Sequence, residues 1–297
     1  MTGTYRRGRP GVASLLPTLL TVAIGWGCGE PDAGRSDQER LDATAREHAG
    51  EGPAATGAVQ EPRVRVAADT VVYGALGEQE LIGYLARPAG SGGANLPGLI
   101  VIHEWWGLND NVRAMTRRLA GEGYSVLAVD LFGGEVADDP RRARGLVEGV
   151  MSEPDTALLN LRAAADFLVE RRAARVGILG WCFGGTWSWR GALAMPERID
   201  AAVVYYGQIP ISRDELEPLE VPLLGIFGAE DRSIPVTDVR RFQAALNELD
   251  KDAEVRVYGR AGHAFANPSG EAYRPGAAED AWGRTLDFLE RHLEHRR

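Results

Sequence analysis

Gly180-Trp181-Cys182-Phe183-Gly184 follows directly on the apolar run Ala174–Leu179. It reads as a strand, then a tight turn that carries a thiol, then a helix beginning near Gly184-Gly185. This is the G-x-nucleophile-x-G turn, with cysteine where serine is the commoner residue. Such a turn holds its nucleophile in a strained backbone conformation, and a glycine two residues to either side keeps helix and strand from colliding. Five residues carry little by themselves. Their weight comes from the strand before them, the helix after them, and an aspartate and a histidine further along in a usable order.

The chain around this turn alternates strand and helix. Val64–Tyr73 and Glu80–Ala86 read as an opening pair of strands, joined by a hairpin near Gly77. Gly98–His103 is a short, continuously apolar run, as a parallel strand buried on both faces should be. Asn109 or Asp110 is placed to cap a helix with Val112, Met115 and Leu119 on one face, ending at Gly121 or Gly123. Tyr124–Val129 gives the next strand. Ser152 and Asp155 suggest a capping box for a helix with Leu158, Leu161 and Leu168 inward. Arg175–Leu179, Ala201–Tyr205, Val221–Phe227 and Glu254–Tyr258 continue the strands. Val236–Leu249 is a helix, and the last helix carries Trp282, Leu286, Leu289 and Leu293 on one stripe. Repeated β-then-α units predict an α/β fold, a mainly parallel twisted sheet with helices on both faces.

In such sheets chemistry collects where strands end. Cys182 follows one strand, Gly228-Ala229-Glu230-Asp231 another, and Ala261-Gly262-His263-Ala264-Phe265 the final one. Nucleophile, acid, base is the chain order of α/β-hydrolase triads. A free thiol, with a pKa near ~8.5, needs a base beside it to react at neutral pH. His263 is the natural base, and Asp231 would fix its tautomer and stabilise the imidazolium, with Glu230 as the rival acid. Phe183 opens the helix after the turn, so its backbone N–H points toward negative charge developing on a substrate oxygen.

Cys182 in its glycine turn, Asp231 in G-x-x-D-x-x-I-P, His263 in G-H-A-F and the run His103-Glu104-Trp105-Trp106-Gly107-Leu108-Asn109 together resemble the dienelactone hydrolase family. The likeness covers essentially all of Arg63–Arg297. It implies an α/β-hydrolase fold without a large lid and a Cys-His-Asp triad cleaving carboxylic esters or lactones through a thioester. It further implies that Glu104 hydrogen-bonds the resting thiol and helps to activate it, and that the oxyanion sits on the N–H groups of Phe183 and Trp105. His103 is read as structural.

The chain departs from the family pattern where some members grip a substrate carboxylate with two arginines. Here Asp130-Leu131-Phe132 is followed by Gly133-Gly134, and Asn267 stands in the second place. Trp105, Trp106 and Trp187 are candidates for an aromatic mouth suited to uncharged or aryl esters, with core packing as the alternative.

Ahead of the domain, Arg6, Arg7 and Arg9 precede the apolar run Val12–Ile24, which is short for a membrane span. The layout is that of a signal peptide over 1–28, predicting an exported protein, either periplasmic, secreted or held at a membrane by a lipid. Cys28 is the candidate lipidation site, although Gly25 stands where such signals usually carry leucine. Residues 29–62, rich in Ala, Gly, Glu, Asp and Pro, read as a flexible acidic linker, and 63–297 as the one folded domain.

Of 297 residues, 33 are Lys or Arg and 42 Asp or Glu, a net charge of −9 that disfavours nucleic acid and anionic lipid as partners. No phosphate loop, dinucleotide fingerprint or metal-ligand spacing is present, so neither cofactor nor metal is expected; His292 and His295 read as solvent-facing. A small-molecule substrate and a monomer are expected. Two other readings stay open, a non-catalytic binding protein that keeps the fold and a thiol redox protein. The latter wants a second cysteine, and Cys28 is the only other one.

Overall fold

In β3 (Gly98–Ile102), β5 (Val176–Trp181), β6 (Ala201–Tyr205) and β7 (Leu223–Gly228) every residue is buried. That is the reason their sequences run apolar without alternation. The computed structural model describes residues 37–47, 59–92 and 95–294. Its eight strands form one sheet in the order β1-β2-β4-β3-β5-β6-β7-β8, completed by β1 (Val66–Leu76), β2 (Gln79–Pro88), β4 (Ser125–Val129) and β8 (Ala253–Tyr258). β2 runs antiparallel to β1 and β4, and every other neighbouring pair is parallel. The β1–β2 hairpin turns at Gly77, where φ is 60°.

Helices cover both faces. α4 (Pro154–Glu170) and α5 (Phe183–Ala194) lie on one side, where Leu168 packs at Gly98 and Leu161 near Gly191. α8 (Pro275–Leu293) lies on the other, with Leu289 and Leu293 against Gly177. α2 (Asp110–Ala120) shares that side, its Arg118 guanidinium 3.8 Å from the centre of the Trp282 ring. The Tyr205 hydroxyl lies 2.6 Å from Thr285 Oγ1, tying β6 to α8. α6 (Arg213–Leu216) and α7 (Val236–Glu248) complete the α/β-hydrolase architecture. The chain's single lysine, Lys251, sits where α7 turns into β8, its ammonium donating to the Glu217 carbonyl at 2.6 Å.

Three local expectations need correction. Ser152 and Asp155 form no capping box, because Ser152 ends α3 (Pro140–Ser152) with its hydroxyl donating to the Gly149 carbonyl, and α4 starts at Pro154 behind Glu153. Of the three leucines assigned inward, Leu161 and Leu168 are buried and Leu158 only partly. The linker read over 29–62 is not structureless throughout. Within it α1 (Asp37–Glu47) docks on α3, burying Ala43 and Thr44 and packing Leu41 and Ala45 against the core. A short helix needs only one small apolar face once a partner is there to receive it, and apolar content averaged over the segment hides that face. The signal peptide and Cys28 lie outside the described residues, as does His295.

Candidate active site

The turn after β5 takes the shape its glycines permit. Cys182 has φ 54° and ψ −117°, a region that side chains rarely occupy. A Cβ on Gly180 would meet the Gly184 backbone at 2.4 Å, and one on Gly184 would meet the Ile102 carbonyl oxygen at 2.3 Å. These contacts are with backbone, which cannot step aside. The turn is fixed further by the Cys182 N–H donating to Tyr205 O at 3.0 Å. Phe183 begins α5, so its N–H is among the first-turn amides with no acceptor inside the helix.

Asp231 follows β7 and is almost wholly buried. Its Oδ1 accepts from the N–H groups of Ser233 and Ile234, each at 2.8 Å, which leaves Oδ2 for a side-chain donor. That donor is His263 Nδ1 at 2.8 Å. A carboxylate only accepts, so Nδ1 carries the proton and Nε2 is the atom left for the thiol. Cys182 lines the same cavity as this imidazole. Burial disfavours the imidazolium of His263, but the Asp231 carboxylate and then the Cys182 side chain outweigh it, and the pKa lies well above the ordinary histidine value. Glu230, the rival acid, is exposed, and its backbone N–H donates to the Ala261 carbonyl.

Glu104 and Trp105 follow β3. His103, fully buried, donates from Nδ1 to the Glu104 carbonyl at 2.6 Å and accepts at Nε2 from Leu131 N–H at 3.2 Å. Burial holds its pKa below the usual value despite the charge of Asp130, and the neutral ring serves as a brace. Asn267 Nδ2 donates to Glu104 Oε2 at 2.6 Å. Its Oδ1 accepts from Ser269 N–H at 2.9 Å and from Asn111 Nδ2 at 3.3 Å, so a polar chain links the start of α2 to Glu104. The place where an arginine would grip a carboxylate is thus given to positioning Glu104. The other such place is closed too: Asp130 accepts from Phe132 and Gly134 N–H, and Gly133 and Gly134 have φ of 65° and 92°.

Cys182, His263, Phe183 and Trp105 line one cavity of about 30 Å³. Trp106 and Trp187 are not among its lining. Trp187 is fully buried with its ring against Phe183, and Trp106 packs on Trp105 at 4.9 Å between ring centres. Both are core residues here, and only Trp105 of the expected aromatic mouth faces the cavity.

The sequence reading missed Tyr206, Thr186, Ile234 and Leu41, which also line it. Tyr206 packs its ring 5.1 Å from His263, and its buried hydroxyl has no hydrogen-bond partner among the described residues. It follows an apolar strand directly, and its only signal is that position. Its pKa is raised well above the ordinary tyrosine value, first by burial and then by the charges of Glu104 and Cys182.

Comparison with known proteins finds the profile of the Dienelactone hydrolase family matching residues 81–293. "Protein usf" of Aquifex pyrophilus is 35% identical over 219 residues, covering 71% of this chain and 93% of that protein. A "Putative carboxymethylenebutenolidase" of Escherichia coli is 33% identical over 257 residues, covering 81% of this chain and 93% of the relative. Among solved structures, a "Putative Dienelactone Hydrolase" from Klebsiella pneumoniae superposes with a TM-score of 0.69 at 30% identity, covering 77% of this chain and 100% of the other.

Proposed function

The chain belongs to the dienelactone hydrolase family, and on that premise we propose that it hydrolyses uncharged carboxylic esters or lactones with Cys182 as nucleophile. The observation that carries this reading is the 2.8 Å contact of His263 Nδ1 with Asp231, beside a cavity that His263 shares with Cys182 of the strained turn. His263 Nε2 takes the thiol proton as Sγ attacks the carbonyl carbon. The resulting oxyanion is held by the N–H groups of Phe183 and Trp105. As the C–O bond breaks, the imidazolium returns its proton to the leaving alkoxide and a thioester remains on Cys182. Water, deprotonated by His263, then attacks the thioester carbonyl and releases the acid and the thiol. Asp231 orients the ring and stabilises its charged form throughout.

Glu104, held by Asn267, adds a carboxylate that stands ready to act on the thiol once substrate displaces the resting contacts. Uncharged substrates are favoured because neither arginine position of the family's carboxylate grip is filled, by Gly133-Gly134 and Asn267 respectively. The N-terminal pattern over 1–28 supports action outside the cytoplasm, with attachment through Cys28 where that residue is lipidated, and the domain is assigned as a monomer. The test is hydrolysis of p-nitrophenyl acetate and butyrate. Cys182→Ala is expected to abolish it, and retention of the parental rate would sink the reading.

A further inference from the structure

The cavity around Cys182 holds about 30 Å³, room for a water or two. Sites for small organic ligands run to roughly 300–1,000 Å³. A space of that size does not hold an ester beside the thiol as the molecule stands. Part of what closes the cavity comes from outside the hydrolase domain. Leu41 and Thr44 of α1 are among its walls, together with Val147 and Met151 of α3. We propose that α1 is a lid supplied by the segment ahead of the domain, sealing Cys182 with Leu41 and opening by detachment from α3 to admit an apolar, uncharged ester.

The attachment suits such a role. α1 has 11 residues, near or below the length at which a helix persists alone in water, so its form depends on docking. An exposed ion pair contributes to its attachment: Asp42 Oδ1 meets Arg144 Nη1 at 2.6 Å, with both side chains about a third exposed (36% and 35%). Arg144 is held from the other side by Glu148 at 2.7 Å. A contact this exposed is weak and screened by salt, which fits a part that must release. Besides Leu41, the apolar part of the cavity wall is Trp105, Val147, Met151, Phe183 and Ile234. Neither lysine nor arginine is among the described residues lining the cavity, so apart from His263 nothing there offers a charged partner to a carboxylate, and an uncharged group suits the place of Leu41. This identification of the incoming group rests on the hydrolase reading, whereas the seal over Cys182 does not.

The experiment therefore reads the thiol directly. In the full chain, the rate of Cys182 alkylation by iodoacetamide is followed by peptide mass spectrometry, with folding checked by circular dichroism. Asp42→Arg sets two like charges together and is expected to raise the rate roughly two- to fivefold, the scale of an exposed ion pair. Leu41→Arg, which places a charge in the apolar seal, should raise it about tenfold or more. Asp42→Arg combined with Arg144→Asp, in a chain that also carries Glu148→Arg so that the carboxylate placed at 144 keeps its second partner, restores both pairs in reverse and should return the rate toward the parental value. Should Leu41→Arg fail to fold, the Asp42 pair of variants decides alone. Unchanged alkylation in Asp42→Arg, or no restoration in the triple variant, overturns the lid. Hydrolysis is measured in parallel: a Cys182→Ala chain that keeps its esterase rate refutes the catalytic reading and leaves the alkylation result standing.

Discussion

At the scale of single residues, Cys182 sits at a positive φ that glycine would occupy without strain. Backbone strain of this kind costs on the order of 1–3 kcal/mol and persists where the surroundings impose it. Cys182→Gly should therefore be more stable than Cys182→Ala by about 1 kcal/mol in urea unfolding, although glycine ordinarily loses to alanine; the opposite ranking would mean that the turn is unstrained. The two candidate acids differ as sharply. Asp231 is fixed by two backbone N–H groups and touches His263, while Glu230 is exposed. Asp231→Asn should lower kcat/KM by roughly 10³- to 10⁴-fold, as loss of a triad carboxylate does elsewhere, and Glu230→Gln by less than about twofold. Equal losses would move the acid. These polar residues were legible because chemistry restricts their types and order. Tyr206 and Leu41 were not, since an aromatic or aliphatic side chain lining a cavity is spelled the same way as one filling the core.

At the scale of elements, the glycines of the turn and the glycines of α3 make opposite demands. Gly184→Ala would drive a methyl into the Ile102 carbonyl, displacing α5 from β3. Overpacking of this sort costs about 1–3 kcal/mol or more, so both Tm and esterase rate should fall. Gly145 and Gly149 have nothing within 4 Å of a built Cβ and sit in an exposed part of α3, so alanine at either should raise stability by about 0.5–1 kcal/mol. A Gly184→Ala chain with parental Tm would show that the close approach is not real. The strands were readable because burial on both faces leaves an unbroken apolar run. α3 was not read although Asp139 caps it and Pro140 opens it; its fully buried side chains are only Ala143 and Val147. α1 was hidden for a different reason, since its face is meaningful only beside α3.

At the scale of the whole molecule, folding couples to pH through two buried histidines with opposite signs. His103 is kept neutral, its pKa held below 6.5 by burial. The unfolded chain then binds more protons than the native one once pH drops beneath that value, and stability falls on acidification by up to about 1.4 kcal/mol per pH unit. His263 has its pKa raised, so its contribution is complete below the unfolded value and is lost as pH rises through the folded one. In a Tm-against-pH series, His103→Gln should flatten the limb between pH 6.5 and 5 and leave the alkaline limb in place; an unaltered acid limb would show that His103 is not the group being charged.

The parallel sheet sends Cys182, Asp231 and His263 to the ends of their strands, whereas Lys251 precedes the start of β8. A copy of the domain attached to a resin through Lys251 would therefore present its thiol rim outward.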